Sequence, residues 1–323
     1  MTGELLIDTI DVYTQFGVGL THDGLRGVVQ YPALKPFDSF SWAEEDGIDV
    51  DASAPVFAAR EVTINFICVD TDNVGALFDL LSDGSYHVFN FDVIGKSYRL
   101  RLDTQPTKTV FYPLEKFSLK LIEDRPYAAA IEVDSSDPTY KVMGDYVYSD
   151  PVNLGVPAQD YALDTINLSV FGLRVLAGTF DSVYRSPDVK PNLVQNIAGV
   201  RGNVYGSGAV RYKEKDATLN LLLKSPDLAT FWTNYEAFLY KLVQPNLRIL
   251  YADYSMTDIS CFYKSAQINR FELVGASVWC EFSVMLCFTL FRRAGAIVLL
   301  GSELTEFIES EDSIYLIDTQ NAI

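Results

Sequence analysis

One strand pattern occurs twice in this chain, and the repeat limits what the chain can fold into. The stretches Arg60–Phe66 (REVTINF) and Lys215–Leu221 (KDATLNL) lie 155 residues apart. Apolar and polar residues alternate in both, which is typical of a half-buried strand, because successive side chains point to opposite faces of a sheet. The apolar positions are Val62, Ile64 and Phe66 in the first stretch and Ala217, Leu219 and Leu221 in the second. The sequence therefore predicts one fold used twice.

The correspondence extends on both sides of this strand. Upstream, Asp8–Val12 matches Asp164–Leu168, and Phe16–Gly17 matches Phe171–Gly172. Downstream, each strand leads into a helical segment and then into further alternating strands. A repeat of this length indicates a duplicated domain, since solenoid units have periods of roughly 20–50 residues.

The periodicity also predicts the individual elements. One helix follows each repeated strand; the first ends at Asp83–Gly84, and the second has Ser225 as its N-cap and Pro226 at its first position. The segments 32–57 and 180–209 are predicted to be long loops, and one strand is expected at Lys141–Tyr148. Strands are predicted at 5–20, 25–31, 58–69, 86–94, 96–103, 109–123, 164–177, 247–254, 258–269 and 271–291.

These elements predict a mainly β protein with one helix per domain, a β-sandwich or split barrel present in two tandem copies. A hydrophobic content of 49% with 21% charged residues is typical of a globular chain. We place copy one at 1–130 and copy two at 164–301. Between them lies an acidic linker at 131–163, and an acidic tail occupies 302–323.

The formal net charge of −18 is unevenly distributed. Residues 1–130 carry −10, whereas residues 164–301 carry +3. An acidic chain of this kind is not expected to hold nucleic acid through its phosphates, which requires a clustered basic surface. The difference between the copies either lets them attract each other across subunits or serves solubility alone.

Residues suited to catalysis are scarce. His22 and His87 are the only histidines, and no G-x-S-x-G motif accompanies them. The four cysteines form no C-x-x-C pair, and no Cys/His cluster has the spacing of a zinc site. Acidic turns explain the groups Asp46–Asp51 and Asp70–Asp72 better than Ca²⁺ ligation does, and Gly202–Gly208 is predicted to be a hairpin tip. We therefore predict no catalytic residues, no cofactor and no metal, and hence no enzyme.

The loop 32–57 carries the aromatic residues Phe37, Phe40 and Trp42. They suit stacking on a carbohydrate or contact with a partner, which makes a carbohydrate- or cell-surface-binding protein the alternative function. The loop could equally fold over the edge of its own domain. The run Ala294–Leu300 is too short to cross a bilayer, so no membrane contact is expected.

The same order of predicted elements occurs in both copies of this acidic chain. In this respect the chain resembles the tail-tube-fold proteins of bacteriophages, namely the distal tail protein and baseplate hub group. The resemblance covers about 1–125 and 164–291. It implies a structural protein of a phage or prophage tail, made in the bacterial host cytoplasm and located in the virion tail. No short motif defines these families, so no functional residue is transferred.

In such proteins the sheets of neighbouring domains close a ring around a channel. The resemblance therefore implies self-assembly, either as a trimer with a pseudo-sixfold ring or as a hexamer, together with other tail and baseplate proteins. DNA would pass through the channel without specific binding. As self-assembly contacts we predict the polar side of the repeated strands, namely Thr63, Asn65, Thr218 and Asn220.

Overall fold

The computed structural model of the chain describes residues 2–69, 73–111, 114–126, 161–191, 194–199, 201–205, 210–252, 257–290, 308–309 and 316–317. Met1–Phe291 form one compact unit and Arg292–Ile323 a second one. The predicted strand at Lys141–Tyr148 and most of the predicted linker lie outside the described residues. So does most of the acidic tail, in which Ile308–Glu309 pairs antiparallel with Leu316–Ile317.

Copy one is built on a sheet of seven strands, all neighbours being antiparallel. In order along the sheet they are β2, β1, β7, β8, β9, β6 and β3. Their bounds are β1 Leu5–Ile7, β2 Ile10–Asp11, β3 Val18–Leu20, β6 Arg60–Cys68, β7 His87–Phe91, β8 Lys96–Phe111 and β9 Leu114–Glu123. The helices are α1 Val12–Phe16, α2 Arg26–Val29 and α3 Val74–Leu81.

Copy two repeats this arrangement in the order β11, β10, β16, β17, β18, β15 and β12. Its strands are β10 Tyr161–Leu163, β11 Ile166–Asn167, β12 Leu173–Val175, β15 Lys215–Ser225, β16 Arg248–Ala252, β17 Thr257–Val274 and β18 Ser277–Phe288. Its helical elements are a 3₁₀ turn at Leu168–Phe171, then α4 Thr179–Tyr184 and α5 Leu228–Leu242. The prediction of a mainly β chain with two tandem copies of one fold is confirmed.

The loop before each repeated strand carries a small two-stranded hairpin. In copy one β4 Ser39–Phe40 pairs with β5 Asp49–Val50, and in copy two β13 Val194–Gln195 pairs with β14 Val204–Tyr205. All four strands keep the offset of 155 residues. In the described residues the two loops therefore carry the same hairpin at equivalent positions.

The matched stretches at the start of each copy form the same tight turn. Ile7 pairs with Ile10 around Asp8–Thr9, and both turn residues have positive φ, at 48° and 74°. The second copy repeats this at Asp164–Thr165 with φ of 48° and 72°. Positive φ at both central residues defines the type I′ turn, whose twist fits an antiparallel hairpin. Each turn is followed by a helical turn with a side-chain N-cap, supplied by Asp11 or by Asn167.

The alternation in the repeated strands corresponds to burial, and the inward side chains of β6 and β15 belong to one continuous hydrophobic core. The apolar side of α5 is also buried, including Phe231, Tyr235 and Phe238. Its N-cap is Asp227, whose carboxylate accepts the Thr230 N–H at 2.8 Å, and not Ser225 as predicted.

Several predicted strands are different elements in the structure. Residues 25–31 contain helix α2, and 164–177 contain two short strands around a 3₁₀ turn, because apolar positions three and four residues apart satisfy a short helix as well as a strand. The loop 180–209 contains most of α4 and a hairpin. The strands β8 and β17 run on to Phe111 and Val274, past the predicted ends at 103 and 269.

Candidate functional site

The loop 32–57, hereafter the first strap, lies on copy two and not on its own domain. Its backbone bonds to copy two at several points. Leu34 donates its N–H to the Lys264 carbonyl at 3.0 Å, and Ile48 donates to the Thr289 carbonyl at 2.9 Å. At the end of the strap, the Ala52 carbonyl accepts the Asn246 N–H at 2.7 Å. The strap therefore ties the two copies together over its whole length.

A buried lysine of copy two holds the tip of the first strap. Lys190 is only 7% exposed. Its Nζ donates to the backbone carbonyls of Trp42 and Gly47, both at 2.7 Å. Charged donors make stronger hydrogen bonds than neutral ones, so this lysine fixes the conformation of the tip.

Gly47 allows the closest approach between the strap and copy two. Its φ is 74°, and a Cβ built on it would overlap the carbonyl oxygen of Thr289. Its N–H meanwhile donates to the Tyr212 carbonyl at 2.8 Å. Only glycine combines this backbone conformation with such a contact.

The three aromatic residues predicted on this loop have different surroundings. Phe37 packs edge-on against Phe262 of copy two, with 5.1 Å between the ring centroids. Phe40 and Trp42 are 55% and 48% exposed, and their ring centroids are 4.2 Å apart. The Trp42 indole donates to Asp49 Oδ2 at 2.9 Å, which orients the ring. The structure thus leaves one exposed aromatic pair on the strap.

The centre of the contact between the copies is buried and aromatic. Tyr31 of copy one stacks on Tyr235 of α5 with 4.0 Å between centroids, and each hydroxyl donates to a backbone carbonyl of the other copy. Beside them, the Trp232 indole donates to the Ile94 carbonyl at 2.8 Å, and Lys96 pairs with Glu236. Sequence reasoning missed this contact, because nothing local distinguishes these aromatics from ordinary core residues.

The polar residues of the repeated strands bond largely within their own copy. The Asn65 side chain accepts from Ser118 Oγ at 2.6 Å, and Asn220 donates to the Ala177 carbonyl at 3.2 Å. The Thr218 N–H bonds to Ser182 Oγ, and the Thr63 side chain is exposed. The role of these four residues in self-assembly stays a prediction.

The buried histidine has a structural environment. His87 Nδ1 lies 2.5 Å from Asp8 Oδ2, and Asp8 Oδ1 accepts the Val88 N–H at 2.8 Å. Burial opposes ionisation of Asp8, but these hydrogen bonds outweigh it and hold the pKa of the carboxyl below its ordinary value. In copy two Asp164 pairs with Arg248 in the same manner, at 2.6 Å. His87 therefore occupies the place of an arginine that anchors the turn. His22, by contrast, is exposed and lies 3.7 Å from Glu272.

A second pair of equivalent residues lies at the start of the repeated strands. In copy one Arg60 donates to the Val28 carbonyl at the end of α2 and pairs with Glu123 at 2.6 Å. In copy two Lys215 donates to the Val183 carbonyl, and Phe288 stands opposite it where copy one has Glu123. Burial, together with the nearby Arg185, lowers the pKa of Lys215 to about 8.

Lys215 also lines a cleft of about 610 Å³ between the base of the first strap and copy two. The cleft is mixed in charge, with Arg185 and Lys213 beside Glu214 and Asp216. In the described part of the chain no three His, Cys, Asp or Glu side chains are grouped so as to hold a metal ion. All four cysteines are buried and stand outside any disulfide, and no described helix is long and apolar enough to span a membrane.

No protein-family model matches the chain, and no curated protein matches it. One solved structure to which it is similar is that of the SPP1 Dit (gp 19.1) protein, a hub adsorption apparatus protein of phages that infect Gram-positive bacteria. The sequences are 9% identical with a TM-score of 0.28, and the match covers 88% of this chain and 98% of the other. A likeness this distant carries no argument about the present chain.

Proposed function

We propose that the chain is a non-enzymatic structural protein of a phage or prophage tail. In this role it forms a ring at the distal tail or baseplate around a channel through which DNA passes. The observation that carries the proposal is the presence of two copies with one strand order, locked into a single unit by a buried contact. Tandem copies that bind one another supply a repeating contact, and a repeating head-to-tail contact closes into a ring when its rotation allows.

Charge supports the same role. With a net charge of −18, the chain repels the phosphates of DNA, and a channel built from it would let DNA slide without binding. A trimer with six tube-like domains and a hexamer both satisfy this description. Other tail and baseplate proteins would occupy the two faces of the ring.

Negative-stain imaging of the purified full chain tests the proposal. We expect rings with a central hole, and the number of subunits from native mass spectrometry would separate the trimer from the hexamer. A chain that stays monomeric at high concentration, both alone and with candidate neighbouring tail proteins, would contradict the proposal.

The exposed pair Phe40 and Trp42 favours a second function, a carbohydrate- or cell-surface-binding site on the first strap. Adjacent exposed aromatic rings suit stacking on a sugar face, and Asp49 holds the indole in place. A glycan array tests it. Binding that is lost in Trp42→Ala would support this function, whereas an array without signal would exclude it for the glycans tested.

A further inference from the structure

Copy two carries a strap of its own, and its described hairpin lies at positions equivalent to those of the first strap. The loop 187–212, hereafter the second strap, lies 155 residues after the loop 32–57. Isolated bridges close the two loops at equivalent places, Leu34 with Phe57 and Val189 with Tyr212. The hydrogen bonds at the two bases correspond as well: Lys35 donates its N–H to Val56 at 2.8 Å, and Lys190 donates to Arg211 at 2.7 Å.

The glycine at the tip of the first strap has an exposed equivalent in the second. Gly47 is buried, whereas Gly202 has a similar φ of 79° but no neighbour within 4 Å of its Cβ position. Trp42, whose carbonyl accepts from Lys190, corresponds to Ile197, and both residues are exposed. Gly202 therefore has the backbone conformation of Gly47 without the contact that Gly47 makes with a neighbouring backbone.

Copy one has the equivalents of the surface on which the first strap sits. Lys190, which holds the first tip, corresponds to Lys35, whose side chain is exposed. Thr289, which follows β18, corresponds to Asp124, which follows β9. Lys264 corresponds to Asp103, since their neighbours Tyr263 and Leu102 pair with equivalent residues of β18 and β9. Inside one chain the first strap does not use this surface, because it lies on copy two.

Charge complementarity extends to both pairs of surfaces. The first strap carries −5 and lies on copy two, which carries +3. The second strap carries +2, and copy one carries −10. Each strap is thus opposite in sign to the copy that it would cover, which favours association in this order.

We infer that the second strap of one subunit seats on copy one of a second copy of this chain, repeating between subunits the contact that the first strap makes within one. Lys35 of the receiving subunit holds the tip by donating to the carbonyls of Ile197 and Gly202. Gly202 then lies against the backbone at Asp124, as Gly47 lies against Thr289. The inference rests on the proposed function, for which it names the subunit contact.

The glycines of the second strap provide a matched pair of variants. Gly202→Asn places a side chain at the inferred contact, and asparagine tolerates a left-handed backbone. Gly199→Asn is the control, because Gly199 also has positive φ and open space around it. Its equivalent in the first strap, Glu44, is exposed in the seated strap. Lys35→Glu tests the receiving surface.

Assembly of the full-length variants is measured by sedimentation velocity and native mass spectrometry over a range of concentrations. We expect Gly199→Asn to assemble as the wild type does, and Gly202→Asn and Lys35→Glu to need at least tenfold higher concentration. If both of these variants form rings as readily as the wild type, the inference is wrong although the proposed function stands. A wild-type chain that never assembles overturns both.

Cross-linking supplies an independent measurement. Chains carrying Lys35→Cys are mixed with chains carrying Ile197→Cys and treated with a short bifunctional maleimide, because a lysine-to-carbonyl contact can hold the two Cα atoms beyond the reach of a disulfide. We expect the mixture to give a linked dimer far faster than either variant alone. Equal rates in all three samples would contradict the contact.

Discussion

The stability cost of replacing two equivalent glycines by alanine can be predicted from their surroundings. Gly47 and Gly202 have φ of 74° and 79°, so alanine at either position adopts an unfavourable left-handed backbone, at a cost of about 1–2 kcal/mol. At Gly202 that is the whole effect in a monomer, since nothing lies within 4 Å of the added Cβ. At Gly47 the new methyl group would also overlap the Thr289 carbonyl, which forces the strap away from copy two.

The additional cost at Gly47 follows from the bonds that the displaced tip loses. These are the N–H bonds of Gly47 and Ile48 to copy two and the Lys190 bond to the Gly47 carbonyl. At about 0.5–1.5 kcal/mol each, with the charged donor at the upper end, they add roughly 2.5–4.5 kcal/mol. We therefore expect Gly47→Ala to lower the free energy of unfolding by about 3.5–6.5 kcal/mol and Gly202→Ala by about 1–2 kcal/mol.

Urea unfolding at low protein concentration, followed by tryptophan fluorescence and circular dichroism, measures both variants. Trp42 lies on the strap and contributes to the fluorescence together with Trp232 and Trp279. Equal destabilisation by the two alanines would refute the reasoning, because it would mean that the approach of Gly47 to Thr289 contributes nothing to stability.

Three further changes have defined outcomes. Lys190→Ala should lower the free energy of unfolding by about 2–4 kcal/mol, because two charged hydrogen bonds are lost. The equivalent change Lys35→Ala should alter the free energy of unfolding of the monomer by less than about 0.5 kcal/mol. The free energy of unfolding of His87→Arg should lie within about 1 kcal/mol of the wild-type value, because Arg248 fills this place in copy two, and that of His87→Ala should be lower. Equal losses of stability by the two variants in thermal scans would contradict the structural role of His87. Because the folded pKa of Lys215 is about 8 against an ordinary 10.5, the unfolded chain binds the additional proton between these pH values. As the pH rises from about 8 to about 10.5, the free energy of unfolding of the wild type should therefore rise relative to that of Lys215→Met by up to about 3 kcal/mol. A difference between the two proteins that does not change with pH in urea titrations would refute this prediction.

The strand pattern and the duplication could be predicted from sequence because they depend on local chemistry. Alternation in Arg60–Phe66 and Lys215–Leu221 sets which side chains face the core, and the matched Asp-Thr turns need the same backbone in both copies. Predictions failed where a local pattern fits two structures, as at residues 25–31, where apolar neighbours form a short helix and not a strand. The N-cap of α5 was predicted at Ser225 and lies two positions later, at Asp227, because both residue types suit an N-cap.

The sequence by itself determined that two similar sheets form, each with a long loop before its repeated strand. Only the tertiary structure decided that the first strap crosses to copy two while Gly202, at the tip of the second strap, is left exposed. The physical reason is that this choice depends on contacts between residues far apart in the chain, such as Leu34 with Lys264 and Tyr31 with Tyr235. Gly47 is therefore buried and its equivalent Gly202 is exposed, because only the tip of the first strap lies against another copy of the fold within the chain.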